Sequence, residues 1–148
     1  MRILKIEAVC DARGRQRLAA LERACFPDEA WTEEALTGFL AASIRFAYLL
    51  ADAERDVGYV VLNHFAGEAE IERIGIVPQA RSRHFGRTFL LEVLASLAVD
   101  RCVLEVSAAN EAAVRMYQAC GFAVFGCRPA YYHDGADALM MEWKRKNE

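Results

Sequence analysis

The sequence predicts an α+β fold in which a mixed, mostly antiparallel sheet carries helices on both faces. Strand and helix patterns alternate along the 148 residues, and three consecutive strand patterns are joined only by short polar turns. Hydrophobic residues make up 55% of the chain, which is enough for one real core. No linker or repeat interrupts the pattern, so we expect a single domain over residues 1–148.

The first half of the chain predicts one strand, two helices and an antiparallel meander. Residues 3–9 are typical of an edge strand, and apolar residues at helical spacing then run to Cys25. Thr32 is a helix N-cap candidate because acidic residues follow it in the first turn. Alternating apolar residues predict a strand at 44–50, and polar turns after it bound two further strands at 57–62 and 71–77, which complete the meander.

The second half predicts two helices and three strands. An amphipathic helix covers residues 89–97, and a strand follows at 103–106. Asn110 suits the N-cap of the next helix, and Gly121 suits its left-handed C′ position. The last two strands are expected at 122–127 and 139–143.

Composition argues against several classes of function. The net charge of −3 provides no broad attraction to nucleic acid. The chain shows neither a signal-peptide core nor a membrane-length apolar run, so we expect a cytoplasmic protein without a membrane partner. Five cysteines without a C-x-x-C pair favour buried, reduced thiols, and His64 and His133 lack metal-ligand spacing, so no metal is expected.

Glu105 and Tyr117 are candidates for proton-transfer chemistry. Glu105 interrupts an apolar strand, and Tyr117 lies twelve residues later on the following helix. A strand–helix turn that brings them together would pair a proton acceptor with a donor. The alternatives are a solvated carboxylate at a strand end and a tyrosine ring packed in the core.

The loop after the strand at 71–77 is a candidate anion site. It opens a helix, so its free backbone amides and the helix dipole suit a pyrophosphate. Arg81, Arg83 and Arg87 add three positive charges within seven residues. Solvated arginines without a ligand are the alternative.

Three segments, LEVSAANEAAVRMYQACGF, VPQARSRHFGRTFLLEVL and RPAYY, resemble the GCN5-related N-acetyltransferase (GNAT) superfamily. Within it they are most similar to the bacterial ribosomal-protein-alanine N-acetyltransferases. The resemblance runs from about Cys25 to Trp143. It implies a sheet splayed between the strands at 71–77 and 103–106, where acetyl-CoA enters. It also implies acetyl transfer to the N-terminal α-amine of a protein such as a ribosomal protein.

The resemblance implies catalytic roles as well. Glu105 would accept a proton from the amine, directly or through water, and Tyr117 would protonate the departing thiolate. Glu70 and Glu72 on the preceding strand are rival bases, because many members of the superfamily use a carboxylate there.

Binding residues follow from the same resemblance. Tyr131 and Tyr132 would line the acceptor groove, with packing at a strand end as the alternative. Asn110 would bind the pantetheine arm, cap its helix, or do both. The implied acetyl-CoA contacts comprise Ile74, Gly75, Ile76, Arg81, Ser82, Arg83, His84, Phe85, Gly86, Arg87 and Asn110.

The loop departs from the superfamily pattern at one position. His84 occupies the place of the first glycine, which lets the backbone approach the phosphates without a Cβ. A histidine there must adopt an unusual backbone geometry or project its ring away. We therefore expect weakened acetyl-CoA binding rather than its loss.

Energetics favour an α-amine as acceptor. Deprotonating an α-amino group at pH 7 costs about 1.1 kcal/mol, against about 4.6 kcal/mol for a lysine. Two other functions stay open: acetylation of a small amine or lysine side chain, and a CoA-binding module without catalysis. The sequence does not predict the oligomeric state.

Overall fold

A computed structural model describes residues 4–81 and 83–146 and confirms the α+β fold. Its strands are β1 (Leu4–Ala8), β2 (Arg45–Asp52), β3 (Arg55–Phe65), β4 (Glu68–Ile76), β5 (Arg101–Ser107), β6 (Ala123–Arg128) and β7 (Ala138–Lys144). Its helices are α1 (Ala12–Cys25), α2 (Glu33–Leu40), α3 (Phe85–Ser96) and α4 (Glu111–Ala119), with a 3₁₀ turn at Pro78–Ala80.

The strands form one mixed sheet in the order β1-β2-β3-β4-β5-β7-β6. Strands β2, β3 and β4 are the expected antiparallel meander, and β1 is the expected edge strand. Only β4 and β5 pair in parallel among the described strands. The start of the predicted first strand, residue 3, lies outside the described residues.

Helices cover the two faces of the sheet unequally. Helices α3 and α4 pack on one face, where Phe89 and Leu90 meet Val60 and Leu62 of β3. Helices α1 and α2 pack on the other face over the β2–β4 half. Alternate residues of β3 therefore point into two separate cores, which explains why this strand is apolar nearly throughout.

Local capping explains where several helices begin and end. The Thr32 side chain accepts a hydrogen bond from the Ala35 amide at 3.0 Å, as expected for an N-cap. Asn110 caps α4 through the Ala113 amide at 3.2 Å, and Gly121 follows α4 with φ of +101°. These three predictions are confirmed.

Strands β4 and β5 diverge in the middle of β4. They pair only from Glu68 to Glu70, and beyond that point β4 continues without β5 beside it. The register between β3 and β4 shifts at the same place, so Glu72 is the extra residue of a β-bulge. The expected splay of the sheet is confirmed.

Two expectations need correction. Cys10 and Cys127 are exposed rather than buried, because they lie in a connection and on the edge strand β6. Phe122 precedes β6 instead of opening it, and its ring packs in the core beside Tyr117. Within the described residues, no helix is long and apolar enough to cross a membrane.

Candidate active site

A cleft of about 530 Å³ opens where β4 and β5 diverge. Four segments line it: β4, β5 with α4, the connection between α1 and α2, and the connection between β6 and β7. The lining residues are Phe26, Glu29, Ile71, Glu72, Arg73, Ile74, Leu104, Glu105, Val106, Ser107, Asn110, Tyr117, Tyr132, His133 and Asp134.

Glu105 projects from β5 into the water-accessible part of this cleft. Its neighbours Leu104 and Val106 are buried on the α3–α4 side, so strand alternation turns Glu105 to the opposite face. The side chain is 33% exposed, and its Oε2 lies 3.7 Å from Arg128 Nε. A carboxylate in this position can reach both the cleft and solvent.

Tyr117 lies in the same cleft but is buried. It is 7% exposed, and its ring centroid lies 5.8 Å from that of Phe122. Burial raises the pKa of the phenol well above its ordinary value, so it stays protonated at neutral pH. The strand–helix turn thus brings both candidate proton-transfer groups to one cleft.

The rival carboxylates on β4 differ in position. Glu72, at the bulge, lines the cleft, whereas Glu70 does not. The Asn63 side-chain amide donates to both, at 3.3 Å to Glu70 and 3.0 Å to Glu72. Burial, followed by the proximity of Glu70, raises the pKa of Glu72. Of the two rival carboxylates, Glu72 is the one that lines the cleft, and it stays the alternative candidate base.

The phosphate-loop candidate has the backbone geometry expected for its altered position. His84 adopts a left-handed conformation, with φ of 61° and ψ of 15°, and its exposed side chain makes no capping bond to α3. Arg81 Nε donates to the Ile76 carbonyl at 2.9 Å, which fastens the loop to the end of β4. Arg83 and Arg87 are exposed, and Ser82 lies outside the described residues.

At three other predicted cofactor contacts, Gly75, Phe85 and Gly86, the main chain is the part that could meet the cofactor. The Phe85 side chain is buried in the core on the α3 side, so only its main chain faces the loop. A Cβ at Gly75 would lie 2.8 Å from the Tyr59 ring, and one at Gly86 would lie 2.7 Å from Met116 Sδ. At Gly75 a Cβ would displace buried packed atoms, whereas at Gly86 the flexible Met116 side chain would have to move.

The two tyrosines that were predicted to line the acceptor groove differ in position. Tyr132 lines the cleft, but Tyr131 is 53% exposed and packs edge-on against Tyr132 with centroids 5.2 Å apart. Tyr131 is therefore not part of the cleft lining, but it packs against Tyr132, which is. Asp137 anchors this connection by accepting from the Ala130 amide at 2.9 Å.

Several cleft residues have no counterpart in the sequence predictions. Among the cleft-lining residues that were not predicted as site residues are Phe26, Glu29, Arg73, His133 and Asp134. Arg73 carried a usable signal, since a charged residue in an apolar strand is the same feature that identifies Glu105. The other four lie in irregular connections, where side-chain periodicity is absent.

Comparison with known proteins identifies the family. Residues 14–122 match the family described as "Acetyltransferase (GNAT) family". The chain belongs to the GNAT acetyltransferase family. It is therefore an N-acetyltransferase of the family that uses acetyl-CoA.

Individual relatives agree with this membership of the GNAT family. A putative [ribosomal protein bS18]-alanine N-acetyltransferase of Bacillus subtilis is 30% identical over 123 residues, which cover 80% of this chain and 81% of that protein. An uncharacterised Mycobacterium leprae protein is 34% identical over 131 residues, covering 84% of this chain. The matched region spans only 36% of that longer relative.

Solved structures share the GNAT fold. The ribosomal-protein-S18-alanine N-acetyltransferase of Escherichia coli superposes with a TM-score of 0.84 at 21% identity, over 99% of this chain and 96% of that one. A spermidine N-acetyltransferase of Vibrio cholerae, solved with CoA and spermine, gives a TM-score of 0.78 at 19% identity and 95% coverage of both chains.

The residues of this GNAT chain fit acetyl-CoA. From Ile71 to Ile76, β4 has no β5 partner, so its backbone faces the gap where an extended amide-bearing arm would lie. The start of α3 presents the positive end of the helix dipole, with Arg83 and Arg87 beside it for phosphates. Asn110 caps α4 and lines the cleft, so both roles predicted for it remain compatible. When bound, acetyl-CoA supplies an acetyl thioester.

We expect His84→Gly to leave acetyl-CoA binding unchanged or to tighten it. Glycine adopts the left-handed conformation without the steric penalty of about 1 kcal/mol that an L-residue has there. Without a Cβ, it also clears the approach to the loop amides. Calorimetric titration with acetyl-CoA and a melting curve measure the two effects. Ala53→Gly is the matched control, because Ala53 is also left-handed, with φ of 57°, in the β2–β3 turn. A loss of affinity beyond about tenfold would show that the imidazole binds phosphate.

Proposed function

We propose that this enzyme acetylates the N-terminal α-amine of a protein, with a ribosomal protein as acceptor. The observation that carries the proposal is the placement of Glu105 and Tyr117 in one cleft. Glu105 accepts the proton of the α-ammonium group, and Tyr117 donates a proton to the leaving sulfur. The name of the B. subtilis relative supports this acceptor class.

The charge of the cleft lining suits a polypeptide N-terminus. Glu29, Glu72, Glu105 and Asp134 place four carboxylates along its lining, which favours a cationic amine. Removing one proton from an α-ammonium costs about 1.1 kcal/mol at pH 7, within reach of a single carboxylate base.

The same carboxylates favour a second candidate, a polyamine acceptor. A flexible polycation would be attracted to this lining without any requirement for a peptide backbone. The shared fold with the V. cholerae spermidine enzyme is compatible with either acceptor, because identity is only 19%. A ribosomal acceptor would place the reaction in the cytoplasm.

A thiol-release assay over matched acceptors tests the proposal. The acceptors are a peptide copying the N-terminus of bS18, the same peptide with a blocked α-amine and an internal lysine, and spermidine. We expect turnover of the free peptide alone. Turnover only of spermidine or of the blocked peptide would overturn the proposal, and acetyl-CoA binding without any transfer would identify a binding module.

A further inference from the structure

A buried ion-pair network lies directly behind the acceptor cleft. Glu22 of α1 is 0% exposed and is the buried charged residue of the helix–sheet core on that face. Its carboxylate accepts three hydrogen bonds, from the Tyr59 hydroxyl at 2.7 Å, Arg73 Nη1 at 2.8 Å and the Trp31 amide at 2.9 Å. The network therefore ties α1 to β3, to β4 and to the chain just before α2.

Arg73 connects this network to the cleft surface. It follows the β4 bulge, lines the cleft, and is 19% exposed. Its guanidinium also approaches the Glu29 carbonyl at 3.3 Å and stands 4.6 Å from the Phe26 ring centroid and 5.2 Å from that of Trp31. Arg73 thus contacts both ends and the middle of residues 26–31.

These contacts are difficult to explain by stability alone. A buried ion pair loses much of its Coulomb gain to desolvation, and an apolar replacement of similar volume is often as stable. The pair instead fixes orientation. The planar Arg73 guanidinium has to keep its hydrogen bond to Glu22 while it contacts the Phe26 and Trp31 rings, which restricts how residues 26–31 can lie against β4. The segment held in this way contributes Phe26 and Glu29 to the cleft.

We infer that Arg73 and Glu22 are positioning residues that set the acceptor wall at residues 26–31 and thereby the affinity for the acceptor. The inference rests on the proposed function only in that the acceptor amine enters this cleft. Neither residue needs to touch the reacting atoms. Their effect should fall on the KM for the acceptor, while the KM for acetyl-CoA depends on the loop at residues 81–87.

Arg73→Met and Arg17→Met form a matched pair for the test. Arg17 is also a partly exposed arginine that bridges two carboxylates, those of Glu7 and Asp56, but it lies outside this cleft. We expect Arg73→Met to raise the acceptor KM by about tenfold or more with acetyl-CoA KM nearly unchanged. Hydrogen exchange at residues 26–31 should accelerate in Arg73→Met and not in Arg17→Met.

Two further variants separate positioning from stability. Arg73→Lys keeps the charge beside Glu22 but loses the planar fork, so the acceptor KM should still rise in a folded protein. Glu22→Gln combined with Arg73→Met leaves no orphaned buried charge, so the melting temperature should recover relative to Arg73→Met while the acceptor KM stays high. Recovery of the acceptor KM together with stability would overturn the inference.

The proposed function and this inference fail in different ways. If wild-type enzyme acetylates only spermidine, the proposed acceptor is wrong, and the same variants are then measured with spermidine. If the acceptor KM and the exchange of residues 26–31 change no more in Arg73→Met than in Arg17→Met, the positioning role is wrong whatever the acceptor is.

Discussion

Replacing Tyr117 with phenylalanine is expected to lower kcat by roughly 10²- to 10⁴-fold with little change in acetyl-CoA binding. The substitution removes one hydroxyl from a side chain that is 7% exposed and keeps the ring against Phe122. Stability should therefore stay within about 1 kcal/mol of wild type. The loss in rate would then report the missing proton donor rather than a disturbed helix.

The raised pKa of Tyr117 sets a condition on this role. Burial makes the phenol a weaker acid than a tyrosine in water, which keeps it protonated over the neutral range. A thiolate formed beside this buried phenol would have its own pKa raised by the same loss of solvent, which reduces the difference in basicity between the two groups. Proton transfer inside the cleft is then feasible, whereas transfer to a thiolate in water would be uphill.

Tyr48→Phe provides the matched control for this measurement. Tyr48 on β2 also packs partly buried against the core on the α3 side, but it lies outside the cleft. Single-turnover acetyl transfer at saturating acetyl-CoA should be normal in Tyr48→Phe and slow in Tyr117→Phe. A Tyr117→Phe rate within about threefold of wild type would remove the hydroxyl from the mechanism, because a general acid contributes far more than that.

The part of this fold that sequence predicts well is the part determined by neighbouring residues. Thr32, Asn110 and Gly121 mark helix ends through bonds or dihedral angles within a few residues, and each behaves as predicted. The alternating residues of β2 and the short polar turns on either side of β3 likewise specify strands of the meander. The missed N-cap of α1, Asp11, obeys the same rule through the Gly14 amide at 2.8 Å, but no acidic first turn follows to signal it.

The candidate site likewise combines residues placed by local geometry with residues placed by long-range packing. Glu105 and Tyr117 stand on regular elements that share one turn, so their approach follows from local geometry. The contact between Glu22 and Arg73 spans 51 residues and depends on the packing of α1 across β3 and β4. The position of Glu72 depends on a β-bulge, and the residue pattern of β4 does not predict that register shift. Long-range packing and strand register are therefore what the sequence alone left open.

Glu105→Gln should slow acetyl transfer strongly at neutral pH and recover in part as the pH rises. The amide cannot accept the proton of the α-ammonium group, but with an amine pKa of about 7.8 more acceptor is already neutral at higher pH. The Arg128 pair that the substitution weakens is exposed and 3.7 Å long, so stability should change by less than about 1 kcal/mol. Initial rates across the neutral and mildly alkaline range, with peptide acceptor, measure the rescue.

Glu72→Gln is the comparison that decides between the two bases. If Glu105 is the base, Glu105→Gln should lose at least about tenfold more in kcat than Glu72→Gln, and only Glu105→Gln should recover with pH. A Glu72 base reverses both results. It would also place the acidic fall of kcat/KM above the usual carboxyl range, because burial and Glu70 raise the pKa of Glu72. Glu92→Gln on the exposed surface of α3 controls for the loss of one negative charge. Near-normal turnover in both Glu105→Gln and Glu72→Gln would contradict a carboxylate base at either position.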